Sequence, residues 1–232
     1  MKVVILAGGL GTRISEETDN KPKPMVLIGN QPMLWHIMNI YASQGFKEFI
    51  VAAGYRSETI LDWASNLKSD WLITTVDTGL ETQTGGRIKR CMNLFPGESI
   101  LATYGDGLGN VKITSLVEFH QSHGKLATLT AVRPPARFGY LDVTEGKVLS
   151  FGEKNQTSAG WINGGFFVFE PEVANYICSD GEPLETGALP RLVEENELMA
   201  FNHEGFWQPM DTLREKNDLS LLLKDVPPPW LR

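Results

Sequence analysis

The stretch Val3-Val4-Ile5-Leu6-Ala7-Gly8-Gly9-Leu10-Gly11-Thr12-Arg13 passes from an unbroken apolar run directly into a glycine-rich, basic turn. A short continuous apolar run closed by glycines is the pattern of a strand covered on both faces, as strands of parallel sheets are. Glycines at such a strand end let backbone N–H groups come close to a phosphate chain. Arg13 supplies fixed positive charge beside them, and Lys23, within Lys21-Pro22-Lys23-Pro24-Met25, supplies more. A tight turn with surface basic residues is the plainer reading, and two basic elements at this spacing count against it. A P-loop would need Gly-x-x-x-x-Gly-Lys-Ser/Thr, which the sequence lacks. A dinucleotide fingerprint would need a third glycine, but the run continues through Thr12 and Arg13 to Ile14.

Working outward, strands and helices alternate. Pro32 opens a helix whose apolar face is Leu34, Ile37, Met38 and Tyr41, and Gly45 ends it. Strands are expected at Phe49–Ala53, Leu72–Val76, Ile100–Tyr104 and Leu126–Val132, and helices at Ser57–Asn66 and Gly86–Asn93. Ser115 and Glu118 have capping-box spacing, which predicts a helix from there to His123. Tyr140–Val143 and Val148–Phe151 flank Glu145-Gly146 as a hairpin, and Ile162–Phe169 reads as one further strand. A strand near Met199–Asn202 and a helix from Thr212 to about Lys224 complete the chain. The expected fold is α/β, a Rossmann-like, mostly parallel central sheet with an added antiparallel portion. One domain is expected over 1–232, with 1–132 mainly nucleotide-binding and 133–232 holding a second substrate.

Composition narrows the partners. The 232 residues are 42% hydrophobic, enough for a sizeable core, and the formal net charge is −7. That charge gives no long-range attraction to nucleic acid or anionic membrane, so neither is expected as a partner. The only cysteines, Cys91 and Cys178, have no metal-ligand or disulfide-framework spacing, and no apolar run approaches the roughly 20 residues of a membrane span. A cytoplasmic setting is the expectation.

Four further motifs carry chemistry. In Thr103-Tyr104-Gly105-Asp106-Gly107 a carboxylate follows an apolar strand, which places Asp106 at the carboxyl edge of the sheet, where ligands of open α/β sheets bind. Carboxylates there suit Mg²⁺, which takes one or two of them together with substrate phosphates. Asp211, in Trp207-Gln208-Pro209-Met210-Asp211-Thr212, is read as an N-cap first and a second metal carboxylate second. In Thr82-Gln83-Thr84-Gly85-Gly86-Arg87 the glycines suit a ligand close to backbone, while Lys89 and Arg90 read as solvated helix charges. Glu153 and Lys154 follow the hairpin, with Asn163-Gly164-Gly165 beyond; singly, the two charges read as surface residues. His36, His120, His123 and His203 form no metal or triad pattern and are expected to be structural.

Together these motifs resemble the sugar-1-phosphate nucleotidyltransferase family, and "LWHIM", "TGGR" and "FWQPMDT" resemble its cytidylyltransferase branch. The resemblance covers nearly the whole chain and implies a glycosyltransferase-A-like fold. It implies cytidylyl transfer from CTP to α-D-glucose 1-phosphate, giving CDP-glucose and pyrophosphate. Leu6, Ala7, Gly8, Gly9, Leu10, Gly11, Thr12, Arg13 and Lys23 would bind the nucleotide with Thr82, Arg87 and Gly105. Asp106 and Asp211 would hold Mg²⁺, and Arg13 and Lys23 would share the catalytic work with them. Gly139, Glu153, Lys154, Asn163 and Gly164 would line the sugar-phosphate site. The segment between Gly54-Tyr55 and Val76-Asp77 is shorter than in that branch, which leaves a homo-oligomer open. The alternatives are the same chemistry with UTP or dTTP, and transfer to another sugar or alcohol phosphate. Phosphocholine would need an aromatic box, to which Trp161 and Trp207 could contribute. A non-catalytic nucleotide-binding regulatory domain is the alternative of another class.

Overall fold

The computed structural model describes residues 1–9, 11–134, 140–144, 146–152 and 160–232. Its centre is an eight-stranded sheet. The strands are β1 (Val3–Ala7), β2 (Glu48–Ala53), β3 (Leu72–Asp77), β4 (Ile100–Tyr104), β5 (Ala127–Val132), β6 (Ile162–Asn163), β7 (Phe167–Phe169) and β8 (Leu198–His203). Strands β3, β2, β1 and β4 are parallel neighbours in that order. β7 runs antiparallel between β4 and β5, and β8 pairs parallel with the far side of β5. The reversed portion of the sheet is therefore narrow, the single line made by β6 and β7.

The apolar runs are unbroken because both faces are covered. Val3, Ile5, Ala7, Phe49, Val51 and Ala53 pack on one face with Leu34, Ile37, Met38 and Tyr41 of helix α1 (Met33–Ala42). Val4, Leu6, Ile50 and Ala52 pack on the other with Ile88, Cys91 and Met92 of α3 (Thr84–Met92), which follows α2 (Ser57–Asn66) in the chain. Each fully buried Val, Leu or Ile contributes about 1.5–3 kcal/mol, so this double coverage dominates the stability of the sheet. No helix among the described residues is long and apolar enough to cross a membrane.

Two local expectations are corrected. The run from Ile162 to Phe169 is two short strands, β6 and β7, broken where Gly165 and Phe166 take positive φ of 77° and 50°. Helix α4 (Ile113–His123) begins ahead of Ser115, so the Ser115/Glu118 pair lies inside it. Its start is satisfied from a distance, by Gln44 Oε1 accepting from the Ile113 N–H at 2.7 Å. A capping box forms instead at Thr212 with Glu215, at the start of α6 (Leu213–Leu222), beyond α5 (Ala188–Glu194). The expected hairpin is present as Tyr140–Thr144 paired antiparallel with Lys147–Gly152.

Candidate active site

At the carboxyl ends of β1 and β4 lies a cavity of about 520 Å³, within the usual size of a small-molecule site. Leu6, Ala7, Gly8, Gly9, Gly11, Thr12, Arg13, Lys23, Thr82, Arg87, Gly105 and Asp106 all line it. Leu10, Gly139, Glu153 and Lys154 lie outside the described residues. The loop after β1 is shaped by Gly11, whose φ of 66° leads into the 3-10 turn Thr12–Ile14 that aims Arg13. Gly105 permits close approach: a Cβ there would stand 2.4 Å from the Leu6 carbonyl oxygen.

The charged side chains form one connected cluster. Lys23 Nζ donates to Asp106 Oδ2 at 2.7 Å and to Asp211 Oδ1 at 2.6 Å. Arg13 Nη1 donates to Asp211 Oδ2 at 2.7 Å. The Lys23 side chain is 11% exposed and that of Arg13 73%, so one cation is embedded and the other reaches into solvent. Asp211 arrives by strand pairing. Trp207–Pro209 lies antiparallel to Gly107–Gly109 with Pro209 opposite Gly107, and the Met210 N–H donates to the Asp106 carbonyl at 2.8 Å. That register sets two carboxylates far apart in sequence around one ammonium. The N-cap reading of Asp211 is thereby replaced, because Thr212 Oγ1 accepts from the Glu215 N–H and takes the cap.

Asp106 and Asp211 fit a hard divalent cation, since they already converge on a single cation, the Lys23 ammonium. No group of three or more His, Cys, Asp or Glu side chains placed to hold a metal occurs among the described residues.

Arg87 is a fastener between walls. Its buried guanidinium donates to the carbonyls of Ala53 at 2.9 Å, Gly8 at 3.0 Å and Leu80 at 3.3 Å, and to Thr78 Oγ1. Burial pulls its pKa below the ordinary arginine value. A Cβ on Gly8 would overlap this group. Gly85 and Gly86 are corrected in role: they lie inside α3, and a Cβ on either would meet the backbone of Glu182 or Asp180 at about 2.5 Å. The Gly85 N–H donates to the Glu182 carbonyl, so these glycines serve packing rather than a ligand. Lys89 and Arg90 also act as tethers: Lys89 Nζ reaches the Ile177 carbonyl at 2.6 Å, and Arg90, which stays exposed as expected, grips the Asp180 carboxylate and the Thr78 carbonyl.

Asn163 and Gly164 sit behind the cavity. Asn163 Nδ2 donates to the Tyr104 hydroxyl at 2.9 Å, and the Gly164 carbonyl accepts from Trp207 Nε1 at 2.9 Å. The Trp161 face already carries a cation, Arg133 at 4.0 Å, and the Trp207 N–H is held by the Gly164 carbonyl. Five polar wall residues were not foreseen as site residues: Glu81, Gln83, Thr84, Tyr104 and Glu185. Tyr104 and Thr84 lay inside motifs already singled out, whereas Glu185 stands in a polar turn with no local signal.

The histidines are structural. His36 and His203 bond to the carbonyls of Ile28 and Phe206, and burial lowers the pKa of both. His120 lies between Thr128 Oγ1 and Glu170, and His123 also reaches Thr128 Oγ1. Burial pushes the Cys91 thiol up to about 12, which removes it as a nucleophile.

Comparison with known proteins agrees with this geometry. A model of the nucleotidyl transferase family matches residues 2–214. The chain is 47% identical to glucose-1-phosphate cytidylyltransferase of Salmonella typhimurium over 253 aligned positions, covering 99% of this chain and 98% of that protein. Those positions exceed the 232 residues here, so the relative carries residues that this chain lacks. Identity to a probable glucose-1-phosphate cytidylyltransferase of Bacillus subtilis is 41%, over 92% of each chain. The crystal structure of a putative glucose-1-phosphate thymidylyltransferase from Bacillus anthracis has the same fold, with a TM-score of 0.76 at 20% identity over 97% of this chain and 96% of that one. The family match over most of the chain and the near full-length identity to two relatives make this chain a member of the nucleotidyl transferase family.

Proposed function

We propose that this protein transfers a cytidylyl group from CTP to α-D-glucose 1-phosphate, giving CDP-glucose and pyrophosphate. The observation that carries the reading is the single cluster of Arg13, Lys23, Asp106 and Asp211 beside the glycine loop. It is set in a chain 47% identical, end to end, to a glucose-1-phosphate cytidylyltransferase. CTP is favoured over UTP or dTTP because both of the closely matching bacterial relatives are named for cytidylyl transfer.

The chemistry follows from the charges. A phosphate monoester has a second pKa near ~6, so the sugar phosphate arrives as a nucleophilic anion and needs no general base. This agrees with histidines tied to structural partners and with the buried Cys91. The sugar phosphate oxygen attacks the α-phosphorus in line; the new P–O bond forms as the bond to the β-phosphate breaks, and pyrophosphate leaves. What the protein contributes is position and charge. The glycine loop offers backbone N–H groups, and Arg13 and Lys23 exchange their carboxylate partners for phosphate oxygens. Asp106 and Asp211 would hold Mg²⁺, which when bound neutralises phosphate charge. A regulatory domain without catalysis would be expected to have lost one of these four side chains; all are present and paired.

The test is pyrophosphate release from glucose 1-phosphate with CTP, UTP, dTTP, ATP and GTP in parallel, with and without Mg²⁺. Release with CTP and Mg²⁺ is expected. Release with a different nucleotide alone moves the base assignment, and nucleotide binding with no release from any sugar phosphate restores the regulatory reading.

A further inference from the structure

Asp211 is the residue before the Thr212 cap, and the two peptide planes that flank its Cα set where its side chain points. The N–H groups of both planes, those of Asp211 and Thr212, donate to one atom, Glu215 Oε2, at 2.7 and 3.0 Å. The bond from the Met210 N–H to the Asp106 carbonyl holds only the plane before these two. Glu215 is itself held at its backbone, where its N–H donates to Thr212 Oγ1. The next residue ties the same helical turn to the other side of the cluster. Lys216 Nζ donates to Glu17 Oε1, in the turn Ser15–Thr18 that follows Arg13 closely in the chain. Consecutive residues of α6 thus grip the backbone of Asp211 and the segment carrying Arg13, the two partners of one ion pair.

We propose that Glu215 is a positioning residue for the charged cluster, acting through the backbone of Asp211 to place the carboxylate that grips Lys23 and Arg13. This deepens the function proposed above and rests on it. Lys23 and Arg13 both line the cavity, and Asp211 gives one oxygen to each. Hydrogen bonds this short tolerate little change in distance or angle, so a turn of the Asp211 backbone loosens both cations. When phosphate oxygens take over the cations, the side-chain bonds of Asp211 are the ones given up. The bonds to Glu215 run to backbone and persist through that exchange. Stabilisation by fixed charge depends on groups held in place before the reaction begins, and small displacements are costly. What the two N–H groups need is an acceptor. Both meet a single oxygen, and Glu215→Gln keeps such an oxygen.

The experiment compares the wild type with Glu215→Ala, Glu215→Gln and Thr212→Ala. Pyrophosphate release from CTP and glucose 1-phosphate gives kcat and both KM values, and melting gives Tm. Labelling of Lys23 by an amine-reactive acylating reagent, read by mass spectrometry, reports on the cluster without turnover. A nearby carboxylate favours the protonated ammonium, which does not react. Glu215→Ala and Thr212→Ala each remove one half of the capping box, so similar falls in Tm are expected. Only Glu215→Ala also frees the Asp211 and Thr212 N–H groups. Its kcat is expected to fall about tenfold, the scale of hydrogen bonds to a charged group, with both KM values within about threefold and Lys23 labelled faster. Glu215→Gln and Thr212→Ala are expected to keep kcat within about threefold and Lys23 labelling as in the wild type, because both leave an acceptor for the two N–H groups. Unchanged labelling of Lys23 in Glu215→Ala overturns the proposal, as does a near-wild-type kcat in that variant. Losses in Thr212→Ala as large as those in Glu215→Ala reduce Glu215 to a helix cap and overturn it too, and so does a Glu215→Gln as impaired as Glu215→Ala. A wild type that releases no pyrophosphate from any sugar phosphate breaks the functional reading, while the labelling still judges Glu215.

Discussion

Strand β4 ends in a polar cluster at each tip, and the two clusters behave differently. At its carboxyl end stand Tyr104, Gly105 and Asp106, with Lys23, Arg13 and Asp211 gathered around them. At its amino end Ser99 Oγ donates to Glu170 Oε2 at 2.6 Å, and His120 Nε2 meets Glu170 Oε1 at 3.0 Å. The second cluster can be satisfied in one sense throughout. The Lys125 N–H occupies His123 Nδ1, so the neutral ring's other nitrogen donates to Thr128, Thr128 donates to His120 Nδ1, and His120 Nε2 donates to Glu170. Its members bond to one another between α4, β5 and the residue after β7, with Glu170 the one carboxylate among them. The first cluster is held by full charges at the mouth of a cavity, and those charges can be traded for a ligand's. Buried hydrogen bonds alone do not mark a catalytic centre; exchangeable charge at the carboxyl edge of parallel strands does.

The contrast can be broken at its strongest point first. Asp106→Ala is expected to lower turnover by at least ~100-fold, the scale of losing one charge-stabilising group, with little change in Tm; near-wild-type turnover would sink the metal and charge role. His120→Ala should do the reverse. It removes one partner each from Thr128 and Glu170, which keep His123 and Ser99, and should cost about 2 kcal/mol, read by denaturant melts, while kcat and KM stay near wild type. Smaller again is Thr212→Ala. Removing the capping-box hydroxyl should cost about 1 kcal/mol without lowering turnover, separating the cap from its neighbour Asp211.

Acid sharpens the same comparison. Burial lowers the pKa of His36, His123 and His203. The unfolded chain therefore takes up protons before the folded one as pH falls through the ordinary histidine range. Their contribution is complete above about pH 6.5 and declines as pH drops towards the folded values. Glu170 acts in the same direction at lower pH: burial would raise its carboxyl, but Ser99 and His120 outweigh that and hold it below the ordinary glutamate value. Tm should fall steadily from pH 7 to pH 5, and a flat profile would contradict neutral burial of these side chains.

Local sequence decided a large part of this molecule. Val3–Ala7 could only be a doubly covered strand, Gly11 needs its left-handed turn, and the strand before Gly105 puts Asp106 at the ligand-binding edge. Those are statements about neighbours in the chain, where periodicity and backbone freedom act directly. The tertiary structure alone decided what depends on register between distant segments. It set Pro209 opposite Gly107, which moved Asp211 from helix cap to the side of Lys23. It brought Glu185 to Tyr104, placed Gln44 at the start of α4, and turned the glycines of α3 towards the 180–184 turn. A residue's own neighbours carry no record of which far segment will pack on it, because that choice is made by closing loops around a shared core.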